Sequence, residues 1–142
     1  MNTLQETLPT LLTLCAALQI AAAALNLFLI RLLNWKEDLE RLSLLPRQVF
    51  LVHLWFISLT LLIFGGLTWR FAEEIAGGSN AVASWLAGGI ALFWGVRTVI
   101  QMTYYSSRHW RGNPARTMVH IGLLIVYGGM AATYGAAASF AP

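Results

Sequence analysis

Hydrophobic residues gather into four long runs separated by short polar intervals. The runs cover about Thr10 to Leu33, Gln48 to Trp69, Ala81 to Tyr105 and Thr117 to Ala138. Each reaches the roughly 20 apolar residues that a helix needs to cross the hydrocarbon of a bilayer. Lipid offers the backbone no partner, so helices are the state such runs adopt. Short connections make sequential helices neighbours of opposite direction. The pattern therefore predicts a single all-α membrane domain over 1–142, an antiparallel four-helix transmembrane bundle. No internal repeat is evident.

Between the first two runs the pattern changes. Trp35, Leu39 and Leu42 recur at three- and four-residue spacing, with Lys36, Glu37, Glu40 and Arg41 on the other face. This predicts a short amphipathic interfacial helix over Trp35–Leu45, ended by Pro46. Thr7 and Pro9 suit the start of the first helix. That run follows Glu6 and no Lys or Arg, so it is expected to be retained and not cleaved as a signal peptide. Gly77, Gly78, Ser79 and Asn80 read as a turn into the third run.

Composition supports the membrane reading. Of the 142 residues, 58% are hydrophobic and 11% charged, against about 25% charged in soluble domains. The mean hydropathy is +0.65. The net charge of +3 is small and scattered, which excludes nucleic acid as a partner. A lone Cys15 excludes an intrachain disulfide and a Cys-only metal site, and reads as packing.

The sparse charge is informative in its placement. Arg31, Lys36, Arg41 and Arg47 fall between runs one and two, and Arg108, Arg111 and Arg116 between runs three and four. The opposite side has Arg70, followed by Glu73 and Glu74. The positive-inside rule then predicts cytoplasmic basic loops and both termini outside. A bacterial inner membrane is the expected setting. Trp35, Trp69, Trp85, Tyr104, Tyr105 and Trp110 lie near the expected boundaries, as interfacial aromatic residues do. The basic, aromatic stretch Ser107–Pro114, with His109, reads as a contact for anionic lipid.

Polar residues within the runs are costly and point to function. Counting 1.5 Å per residue, Arg97 lies roughly 12 Å in from the cytoplasmic end, with Gln101 four residues shallower. Asn26 lies about 10 Å deep, His53 about 8 Å and His120 about 5 Å. All four helices thus bring polar groups to the cytoplasmic half, a candidate shared pocket for a cofactor or lipid. Helical spacing puts Trp94, Arg97, Gln101, Tyr104 and Arg108 on one stripe, and His120, Tyr127 and Tyr134 on another. Gly65, Gly66, Gly88, Gly89, Gly95 and Gly128 permit close helix approach.

Two chemistries are expected of this set. His53 and His120, on helices of the same direction, could ligate one metal or a b-type haem iron. Arg97 keeps its charge and needs an anion or several acceptors, with snorkelling to the interface as the plainer reading. The leading expectation is an accessory or cofactor- or lipid-binding subunit of a larger, electron-transfer-type membrane complex, assembled with other subunits or with copies of itself. One alternative is a membrane enzyme for an anionic amphiphile, using His53, His120 and Arg97. The other is a purely structural bundle. Phosphate-binding glycine loops, Cys-x-x-Cys pairs and zinc-protease motifs are absent from the sequence, and no carboxylate chain crosses the spans.

Overall fold

The computed structural model describes residues 3–105 and 112–140. Among these the only regular secondary structure is helix, in the order α1 (Thr3–Leu32), α2 (Lys36–Glu40), α3 (Leu44–Gly77), α4 (Ala81–Thr103) and α5 (Pro114–Ser139). The four longer helices are long and apolar enough to cross a membrane. Many of their large apolar side chains are exposed, among them Phe28, Trp55, Phe56, Leu92 and Ile125. On a protein in water such a surface would promote association; against lipid tails it matches the solvent.

The helix ends follow from local chemistry. Asn34 adopts a left-handed conformation (φ 53°) just past α1. Its N–H donates to Arg31 O at 3.4 Å, and that of Trp35 to Ile30 O at 3.0 Å. This is the Schellman closure that satisfies the last carbonyls of a helix. Gly78 (φ 56°) ends α3 in the same way, with Ser79 N–H donating to Glu74 O. Asn80 caps α4 by accepting from Ala83 N–H at 2.8 Å, and Asn113 caps α5 by accepting from Arg116 N–H at 3.2 Å.

Two expected boundaries are corrected. Helix α1 begins at Thr3, so Pro9 lies inside it and not at its start. Pro46 does not end the amphipathic segment; it sits in the first turn of α3. There its missing N–H is one that no intrahelical carbonyl would have met. The amphipathic helix shortens accordingly to Lys36–Glu40. Its ion pairs, Lys36–Glu40 and Asp38–Arg41, are exposed and 4.0 Å long, so they add little stability.

The chain divides into two compact units. In the unit Thr13–Phe71, α1 and the greater part of α3 run antiparallel. Asn26 meets Leu54 and Ser58, while further back along α1 Ile20 and Ala16 meet Gly65. At the loop end Trp35 packs edge-on against Phe50, with ring centroids 6.3 Å apart. Phe71, where this unit ends, has non-helical torsions (φ −119°, ψ 25°) that kink α3.

The unit comprising Met1–Leu12 and Ala72–Pro142 contains α4 and α5. These too run antiparallel: Gly88 lies beside Ala138, Trp94 beside Tyr127, and Gln101 beside His120. Ile90, Trp94, Met130, Tyr134 and Ala137 are buried in this unit.

Candidate functional site

On α4, positions 94, 97, 98 and 101 recur at the three- and four-residue spacing that places them on one face. On α5, Tyr127 and His120 are seven residues apart and share a face. The antiparallel register brings the two faces together in layers.

The inner layer is Trp94 stacked on Tyr127, with centroids 5.2 Å apart and planes 25° from parallel. Next comes the Arg97 guanidinium, 4.9 Å from the centre of the Tyr127 ring and 5.7 Å from that of Tyr105. Both are within cation–π range, worth up to about 2 kcal/mol where water is excluded. The layer nearest the helix ends pairs Gln101 with His120, the amide nitrogen Nε2 lying 2.9 Å from Nδ1.

The hydrogen bonds define protons as well as positions. With the amide in this orientation Gln101 Nε2 donates and His120 Nδ1 accepts, which puts the hydrogen of a neutral ring on Nε2. Two atoms in the cluster stay unsatisfied. Arg97 Nη1 and Gln101 Oε1 are buried and have no hydrogen-bond partner among the described residues. The aromatic faces offset part of the guanidinium's charge but give its N–H groups no oxygen. A buried polar group left in that state costs about 1–3 kcal/mol, and more when charged. One atom is a donor and the other an acceptor, four residues apart on the same helix face.

The remaining expected residues lie in the other hairpin. Asn26 Nδ2 donates to Ser58 Oγ at 2.9 Å and to Leu54 O at 3.2 Å, and Ser58 Oγ donates to Leu54 O at 2.8 Å. This small network pins α1 to α3 and accounts for Asn26 within its own hairpin. His53 is exposed on α3, and its Nδ1 lies 2.8 Å from Val49 O. A carbonyl only accepts, so Nδ1 carries a hydrogen. Among the described residues no group of three or more His, Cys, Asp or Glu could hold a metal ion.

One stripe assignment is corrected. Helical spacing predicts Tyr104 on the inward stripe with Trp94, Arg97 and Gln101, but it is 83% exposed. Tyr104 keeps helical torsions and its N–H donates to Ile100 O, and it is the next residue, Tyr105, that lies over the guanidinium. Arg108 and His109 lie outside the described residues. Sequence reasoning missed Ser58 as the partner of Asn26, and Tyr127 and Tyr105 as the partners of Arg97. The signal for Tyr127 was present, since it shares a stripe with His120. No protein-family model matches the chain, and no curated protein or solved structure matches it either.

Proposed function

We propose that the protein is a small integral-membrane subunit, an accessory to a larger complex, whose α4–α5 hairpin holds the polar head of an amphiphilic cofactor or lipid. In this reading the helices form an antiparallel four-helix bundle in a bacterial inner membrane, with α2 lying at the membrane surface. The single observation that carries it is the buried, unpartnered Nη1 of Arg97. An arginine within a span costs about 2.5–3.5 kcal/mol on insertion scales. Leucine there would carry no such cost. A cation retained in that position with a free N–H is suited to an anionic group supplied from outside the chain. Apart from α2 and short connections the described chain is helix long and apolar enough to cross a membrane, which suits an accessory role better than a self-contained one.

The test is gentle extraction of the full chain, followed by native mass spectrometry and an absorption spectrum. The wild type is expected to retain a non-covalent ligand, and Arg97→Leu to lose it while extracting and melting like the wild type. A Soret band would identify the ligand as haem. A wild type that carries no ligand, and an Arg97→Leu variant that still co-purifies with the same proteins, would sink the proposal.

A further inference from the structure

The two unsatisfied atoms set requirements on the ligand that neither sets alone. Arg97 Nη1 needs an acceptor, and an anionic one returns most because charge-assisted hydrogen bonds are about twice as strong as neutral ones. Gln101 Oε1 needs a donor, and Gln101 is only 2% exposed, so water is a poor substitute. In the orientation the structure gives, the amide nitrogen is already engaged by His120, which leaves the oxygen to meet the ligand. A ligand that satisfies both atoms must carry an anionic oxygen and a hydrogen-bond donor a few bonds apart.

We propose that the Arg97–Gln101–His120 cluster binds a phosphodiester that bears a neighbouring hydroxyl or ammonium donor, the chemistry of glycerol- and ethanolamine-type phospholipid heads. The phosphate oxygens meet Arg97, and the donor meets Gln101 Oε1. The proposal rests on the reading of the hairpin as an amphiphile site and specifies the head that it selects. Position agrees with it. Arg97 lies six residues inside the end of α4, about 9 Å, and its guanidinium reaches towards that end, where Tyr105 covers it. Tyr105 lies past the helix and is 43% exposed, so the ring on that side of the guanidinium borders the surface from which a lipid head would approach. A bare carboxylate or a choline head fails the second requirement, since neither carries a donor hydrogen.

The experiment adds phosphatidylglycerol, phosphatidylethanolamine or phosphatidylcholine of matched acyl chains to the delipidated full chain and measures retained lipid by native mass spectrometry. The glycerol and ethanolamine heads should be retained about tenfold more than the choline head, the discrimination expected of about 1.4 kcal/mol. Gln101→Leu should erase that preference while keeping lipid binding. Arg97→Leu should abolish binding of all three. Should that variant not fold, Arg97→Lys should weaken all three alike, because a point charge replaces the planar fork. Soluble glycerophosphoglycerol at millimolar concentration should not displace the lipid; displacement would assign the site to a free phosphodiester instead. Equal retention of the choline lipid by the wild type, or unchanged selectivity in Gln101→Leu, would overturn the proposal. If the purified wild type carries a chromophore or quinone that depends on Arg97 and no lipid preference, the amphiphile reading stands and the head assignment falls.

Discussion

Gly65 and Gly66 adjoin in sequence and differ in surroundings. A Cβ on Gly65 would lie 2.8 Å from Ile20 Cγ1, 3.0 Å from Ala16 O and 3.4 Å from Gln19 Cβ, whereas one on Gly66 would meet nothing within 4 Å. At Gly65 α1 and α3 approach closely, and a backbone oxygen cannot step aside as a side chain can. Gly65→Ala should therefore lower stability by about 1–3 kcal/mol, the usual cost of overpacking. Gly66→Ala should leave it unchanged or slightly higher, since alanine is the better helix former. Thermal unfolding of the two variants in one detergent checks both signs. The sequence marked six glycines as sites of close approach. Of these Gly66, Gly89 and Gly95 have open space and Gly88 and Gly128 only ordinary neighbours at 3.9 Å. Residue type shows that a close approach is allowed; only the register of the facing helix shows where it happens. The same holds for Arg97, whose cost in a membrane is legible from the chain. Its position between Tyr105 and Tyr127 depends on residues outside α4.

At the scale of helices, local signals were legible in so far as they act within one turn. Asn80 before a long apolar run reads as a cap, and its side chain does accept from Ala83 N–H. Asn80→Ala should cost about 1 kcal/mol and speed hydrogen exchange at the Ala83 amide, while Asn80→Ser should restore most of both. A proline is more ambiguous, because the same ring stops one helix and opens the next. Pro46 followed an amphipathic pattern and preceded an apolar one, and it belongs to the second. Short helices such as α2 gain little from propensity alone, and of the periodic segment from Trp35 to Leu45 α2 keeps only Lys36–Glu40, while Leu44 and Leu45 belong to α3.

For the whole molecule, length and hydropathy sufficed to count the spans, because a bilayer imposes one length on everything that crosses it. Direction across the membrane depends on loop charge instead of packing. Seven of the nine basic residues lie between or at the adjoining ends of the first and second and of the third and fourth long helices, so a reporter that works only in the cytoplasm should be silent when fused after Pro142 and active when inserted near Lys36. The opposite pattern would reverse the topology. Helix α3 adds a measure of length. The arm before the Phe71 kink, from Leu44 to Arg70, is roughly 40 Å long, but its apolar part, Gln48 to Trp69, is roughly 33 Å, close to the thickness of the hydrocarbon, about 30 Å. Arg47 and Arg70 bracket that part, so the two guanidinium groups mark off a slab of their own. A bilayer of that thickness takes the arm nearly upright; a thinner one obliges it to lean or to lift an arginine clear of the headgroups.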